Sequence, residues 1–452
     1  MLSDRAQNLF DTSIYCGMDE TLLVDLLEEE RLVRFQNVDG TNTKHLVYQL
    51  REEEDAQWLF LAQAKKMGKT DAERSILDAR EIIVTLKGRF YPSVYDTLSG
   101  EIKSVEYTHC EGKTTIRYKL YANDSLLLRL SKESETLPSM QQDKLHKVGE
   151  QLFWDKVSYR RWEPNVVVFD IGQYAIDGDV YSQNEYVLEM NRQIFEILGL
   201  IYNEAQPYVC KSKGEIHQVS VRYEFDSEIA VEGLSLALEN AEDCVVRFNG
   251  TIVKNTISGY YVDEAFKTIP LPKSIVGNNV IEIEVPFSER SRLEACYLLG
   301  EFDVKLASCM TTIIPPSKEI GFGAVSAQGM PFYGGNVSYY TEIETEECMA
   351  RFHVANFGAH CVRVFVDGED AGLIALAPFV VEKKLKAGKH VVEFLCYGNR
   401  NNTFGPVHNC RMTDSNYYIE PDVWEKSCKY WRPAYFFQNT GILSSPTIEF
   451  LK

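Results

Sequence analysis

The sequence predicts a mainly β protein made of successive β-sandwich or jelly-roll domains, preceded by a short helical segment. Three observations carry this prediction. Short apolar runs recur at close intervals between turn-forming residues, as in sandwich proteins. An Asn-Gly or Asp-Gly pair between apolar runs, the strongest short hairpin signal, occurs at Asn249-Gly250 and again at Asp367-Gly368. After each, a glycine-led amphipathic segment returns (277–285 and 388–394), as a jelly roll requires.

Residues 20–30 have helical spacing, with Asp19 or Thr21 as cap. Residues 1–35 are too few for a domain and read as the tail of a preceding segment, which the family resemblance given below implies is α/β. Strands are expected at 44–50, 58–63, 81–86, 114–120 and 125–130, with a turn at 96–100. They form a sandwich assigned to 36–205, which also takes in a polar linker at 131–150 and one strongly apolar strand at 164–170. Its helix, 183–198, places Val187, Met190, Ile194, Ile197 and Leu198 on one stripe and ends at Gly199. The two hairpin patterns then define jelly rolls at 206–312 and 313–452, a pair too short to make a solenoid.

Composition narrows the function. A net charge of −19 opposes sequence-independent nucleic-acid binding, which needs a basic surface to displace counterions. No run approaches the roughly 20 apolar residues that span a bilayer, and the first residues lack the basic-then-apolar order of a signal peptide. The 11 cysteines are scattered without a CxxC pair, and Cys244, Cys296, Cys361 and Cys396 sit among apolar strand residues. They read as reduced, buried thiols of a cytoplasmic protein.

GxSxG, HExxH and P-loop patterns are absent, and the histidines show no metal-ligand spacing. No cofactor is expected, although an oxygen-ligated structural Ca²⁺ leaves almost no sequence signature and is left open. Glycoside hydrolysis needs two carboxyls, but with 66 acidic residues a pair cannot be singled out by composition. Glu163, Asp170, Asp263 and Glu294 read first as turn or hydrogen-bond formers. Recognition of hydroxyl-rich ligands is the remaining chemistry: an aromatic platform with amide and guanidinium partners. The polar loop 398–409 supplies Asn399, Arg400, Asn401, Asn402 and His408, flanked by Tyr397 and Phe404. Tyr333 belongs to the same predicted module, and Tyr260 and Tyr261 to the preceding one. The carbohydrate-binding candidates are Asn399, Arg400, Asn401, His408, Tyr333 and Tyr261. The alternatives for them are plain turn formation and, for Arg400, bracing an interface.

The loop also carries a family resemblance. Tyr397-Gly398, Arg400-Asn401 and Gly405-Pro406-Val407-His408 are similar to the Tyr-Gly, Arg-Asn, Gly-Pro-His-His pattern of glycoside hydrolase family 106, the α-L-rhamnosidases; only the second histidine is kept. Residues 163–170, with Tyr174 and Asp177-Gly178, resemble that group's EPNVLVLD…Y…DG strand, and 95–101 its W-D-P-x-T-G-E turn. Asn249-Gly250, 260–263 and 294–302 resemble its family 2-type sugar-binding, galactose-binding-like domain. The motifs keep the family's order across most of the chain. The resemblance implies the non-catalytic C-terminal region of such a hydrolase, its catalytic (β/α)-barrel lying outside this sequence, with an oligo- or polysaccharide as ligand. The rival readings are a self-sufficient glycosidase with an unidentified acidic pair, and a structural module that docks on a catalytic partner through Trp424, Tyr430, Trp431 and Tyr435.

Overall fold

The computed structural model describes residues 27–43, 46–63, 79–121, 124–134, 145–202, 214–412 and 420–452. Most of the expected N-terminal helix, the middle of the 131–150 linker and part of strand 44–50 lie outside these residues; Glu28–Glu30 form a single 3-10 turn. The described chain is mainly β, organised as sandwiches, as predicted.

One compact unit comprises the residues up to Leu145 together with Leu376–Pro378, and the other the remainder. In the first, Val33–Asn37, Ala79–Lys87, Lys113–Tyr121 and Tyr107–Cys110 form one antiparallel sheet. Leu46–Glu52, Ala56–Gln63, Ser125–Ser131, Tyr91–Tyr95 and Ile102–Ser104 form another. Alternate residues of these strands, among them Leu59, Leu61, Val84, Ile116 and Leu128, are excluded from water in one core.

The second unit holds two sandwiches. In the earlier one, a five-stranded sheet runs Asn165–Phe169, Cys296–Gly300, Ser235–Leu238, Asp263–Pro270, Gly259–Tyr261. Its opposing sheet is built around His217–Ser227 and Gly277–Phe287, which pair over eleven residues. In the later sandwich, Val157–Arg161 and Lys147–Leu152 pair with Val337–Thr345 and Thr447–Leu451, one in each sheet. Thus the strands and helix between 147 and 197, grouped by the sequence with the 36–205 sandwich, are bonded into the two later ones. The reason is long-range: Lys147 pairs with Leu451 and Val168 with Tyr297, far along the chain, where local pattern carries no information.

The helix is Val187–Ile197, with Met190, Asn191, Ile194 and Phe195 buried. Ile197, expected on the apolar stripe, is exposed. The Asn191 amide takes part instead, donating to the Leu293 carbonyl and accepting from the Leu293 N–H, both at 2.7 Å. Gly199 ends the helix as expected, at φ 63°, with Leu200 N–H on the Phe195 carbonyl and Gly199 N–H on that of Glu196.

Both predicted hairpin pairs adopt positive φ at their two residues, 49° and 77° at Asn249-Gly250 and 54° and 79° at Asp367-Gly368. Each turn also grips the returning strand. Asn249 donates its N–H to the Val280 carbonyl and accepts the Val280 N–H on its side chain. Asp367 does the same with Val391, and Asp177, in Asp177-Gly178, with Gln218. In the last two cases a histidine one residue before the gripped position, His390 or His217, also bonds the carboxylate. Replacing Asp367 by Ala removes the two carboxylate bonds, to the Val391 N–H and to His390, and keeps the backbone one. Asp367→Ala is expected to lower unfolding stability by about 1–2 kcal/mol, read from the urea midpoint of the full chain. An unchanged midpoint would show that the turn backbone alone holds the register.

Candidate functional site

The run 163–170 places chemistry at both of its ends. Val166 and Val168 point to one face of the five-stranded sheet, and Val167 and Phe169 to the other. The second set enters the core of the earlier sandwich. The first is covered by Phe332, Phe404, Tyr435 and Phe437, which come from the later sandwich and its loops. A strand buried on both faces explains the unbroken valine run. Phe404, which the sequence set beside the loop as an aromatic for a ligand, stacks on Phe266 at 5.6 Å inside this cluster.

Loop 398–409 is therefore a fastening segment, and both of its charged residues meet the same strand region. Arg400 makes a two-pronged pair with Glu163, Nη1 to Oε2 at 2.8 Å and Nη2 to Oε1 at 2.6 Å. His408 Nε2 donates to Asp170 Oδ2 at 3.1 Å, while its Nδ1 faces the Arg432 and Ala434 carbonyls. Tyr435 donates to the other Asp170 oxygen at 2.7 Å. With acceptors on both ring nitrogens, the imidazole is suited to carry two protons. Burial opposes that charge, but the hydrogen bond and charge of Asp170, with the two carbonyls, outweigh it and raise the His408 pKa above its ordinary value.

The other predicted site residues are engaged in the same fastening. Asn399 accepts the Asn401 N–H, and the Asn401 amide donates to Gln438 at 2.7 Å. Tyr333 is buried, its hydroxyl accepting from the N–H groups of Trp162 and Glu163 and donating to the Asn336 carbonyl. Glycines permit this contact between loops: a Cβ on Gly398 would lie 2.2 Å from the Gly335 carbonyl oxygen, and one on Gly334 would lie 2.7 Å from that of Asn399. Asn401, His408 and Tyr333 thus bond protein partners, and the Asn399 side-chain oxygen accepts from Asn401.

Arg400 and Tyr261 meet at the rim of this closed region. They line a cleft of about 340 Å³ with Glu163, Pro164, Gly233, Ser235, Tyr260, Val262, Thr268 and Leu299. Tyr260 is 56% exposed and offers a ring; the buried Tyr261 offers an edge of the wall. Burial pushes the Tyr261 phenol up to about 12, so it stays a neutral hydroxyl at ordinary pH. Ser235, Thr268, Glu163 and Arg400 bring hydroxyls, a carboxylate and a guanidinium. Tyr260 and Tyr261 stand at a register shift in the hairpin, and Val262 beyond them sits at φ 64°. A β-branched residue in that region is strained by about 1–3 kcal/mol. The bulge turns these residues toward the cleft wall, and no local sequence signal marks it. Glu163 was visible as an acid, whereas its role as Arg400's partner, 237 residues away, was not.

No protein-family model and no curated protein matches the sequence. Among solved structures, a rhamnosidase from Novosphingobium sp. PP1Y aligns over 96% of this chain at 10% identity and TM-score 0.41. The chain covers 26% of that enzyme's length. An anti-sigma factor domain-containing protein aligns over 53% of this chain and 91% of its own, at 14% identity and TM-score 0.15. A GH31 α-xylosidase from Xanthomonas citri aligns over 90% of this chain and 38% of its own, at 9% identity and TM-score 0.14. None of these reaches a TM-score of 0.5.

Among the described residues, no group of three or more His, Cys, Asp or Glu side chains is placed to hold a metal ion, and no helix is long and apolar enough to cross a membrane. Of the thiols singled out in the sequence, Cys244, Cys296 and Cys396 are buried and Cys361 is partly exposed.

Two outcomes test this geometry. Removing one partner from the buried His408–Asp170 pair leaves an uncompensated group, so His408→Ala is expected to cost about 3–5 kcal/mol in chemical unfolding. Because its folded pKa is raised, the His408 contribution is complete below the unfolded imidazole value, roughly 6.5, and is lost as pH rises through the folded value. Stability of wild type relative to His408→Ala should shrink over that interval; a difference independent of pH contradicts a charged imidazole. Val262→Asn, which tolerates positive φ, should stabilise the chain by roughly 1 kcal/mol, seen as a higher Tm. A lower Tm would mean that valine's contacts repay the strain.

Proposed function

We propose that this chain is a carbohydrate-binding accessory region of a glycoside-hydrolase-like protein, which holds an oligo- or polysaccharide in the Tyr260–Arg400 cleft. The observation that carries the reading is the cleft's composition. An exposed tyrosine ring can lie against the C–H face of a pyranose, and hydroxyls, a carboxylate and a guanidinium surround it as partners for sugar hydroxyls. The ordered resemblance of 163–170, 260–263 and 398–408 to the rhamnosidase group supports the same direction, since all three segments contribute residues to the cleft or to its fastening.

Binding is favoured over hydrolysis at this cleft. Hydrolysis uses two carboxyls about 5–9.5 Å apart, one of them free to hold or release a proton. Among the described residues lining the cleft, Glu163 is the single carboxylate, and Arg400 holds both of its oxygens. In this reading the hydrolytic carboxyls come from a catalytic barrel elsewhere in the protein or on a partner chain. The docking reading loses two of its aromatics to other work: Trp431 and Tyr435 pack around His408 at 5.3 and 4.6 Å.

Tyr260→Ala and Arg400→Ala are each expected to weaken glycan-array binding at least roughly tenfold, the loss of about 1.4 kcal/mol. The Arg400–Glu163 pair is about one-third exposed on both sides, so Arg400→Ala should cost only about 1 kcal/mol of stability or less. Undiminished array binding by a folded double variant would reject the cleft. Turnover of aryl α-L-rhamnosides by the chain alone, abolished by one acid substitution, would favour the self-sufficient enzyme.

A further inference from the structure

We propose that the Glu163–Arg400 pair makes this cleft select uncharged sugar residues against uronic acids. The inference rests on the reading of the cleft as a glycan site and goes on to name the ligand's charge. A lone arginine in a sugar cleft attracts carboxylates, because the guanidinium fork matches a carboxylate in two parallel hydrogen bonds. Here that place is already taken by Glu163, through two bonds of 2.8 and 2.6 Å.

The pair leaves the cleft electrically balanced. Glu163 and Arg400 are the two charged side chains among the described lining residues, and Ser235, Tyr260, Tyr261 and Thr268 add neutral hydroxyls. Each member of the pair keeps unused hydrogen-bonding capacity: the carboxylate has further lone pairs, and the guanidinium carries five N–H groups, of which two are directed at Glu163 and one engages the Tyr261 hydroxyl. A pair of neighbouring sugar hydroxyls can donate to one and accept from the other in a single plane. A uronate would have to displace Glu163 from Arg400, leaving two carboxylates beside one cation, or bind without that cation. Either course is costly for a like charge in a half-buried site. The chain's net charge of −19 adds a weaker, salt-screened repulsion of the same sign.

The full chain should be titrated with neutral oligosaccharides and with the matching oligosaccharides whose C6 carbon is oxidised to a carboxylate, at fixed ionic strength near pH 7. Wild type is expected to bind the neutral series at least roughly tenfold more tightly than the uronate series, a difference of about one like-charge contact. Glu163→Gln removes the competing charge and frees Arg400, so it should reduce that preference or reverse it. If both series bind wild type equally, or uronates bind better, while Tyr260→Ala still weakens binding, the charge selection is wrong and the glycan site stands. If neither series binds, or Tyr260→Ala changes nothing, the glycan reading itself falls and takes this inference with it. The wild-type comparison needs no variant, so a poorly folding Glu163→Gln leaves the selection testable.

Discussion

Two hydrogen-bonded pairs, Glu163–Arg400 and Asp170–His408, hold one strand between them in the larger unit of this protein. They lie at the two ends of an apolar run and seize the two charged residues of a single distant loop. They are not equivalent. Asp170 and His408 are almost wholly removed from water, where a broken pair costs several kcal/mol; Glu163 and Arg400 are about one-third exposed, where a pair contributes little. The first therefore fixes the structure, and the second can remain in the wall of a cleft without governing stability.

Once the loop is fastened, the outer face of the five-stranded sheet is closed. Phe404, Phe332, Tyr435 and Phe437 cover Val166, Val168 and Tyr297, so the sheet acquires a second core on the side a sandwich normally leaves wet. A third link joins the same two sandwiches: Arg161 bonds the buried Asp303 at 2.8 Å and the Phe302 carbonyl at 3.0 Å. Asn165 reaches the Phe302 and Gly329 carbonyls from the adjacent strand. The cleft forms where this closure stops, at Tyr261.

The segment 163–170 and the loop 398–408 are separate motifs in sequence, yet in the structure they are the two halves of one contact. Arg400 and His408 look like ligand-binding groups because charged and imidazole side chains in a polar loop suit that purpose. The partners that spend His408, and leave Arg400 only partly free, are acids more than 230 residues away.

The amino-acid sequence alone determined the β character, the apolar strands, the stop at Gly199 and the two Asn-Gly and Asp-Gly hairpins. Each of these rests on local physics: side-chain alternation, or a backbone conformation that a particular residue pair favours. The valine run 166–168 marked a strongly apolar strand, and its burial on both faces came only with the structure. Tertiary structure decided which sandwich the segments 147–161 and 165–197 join, and that His408 and Tyr333 are interior fastenings. It also decided that Tyr260, Tyr261, Glu163 and Arg400 share a cleft. Those outcomes depend on pairing across long loops and on which polar group finds a partner when water is expelled, and neither is written in neighbouring residues.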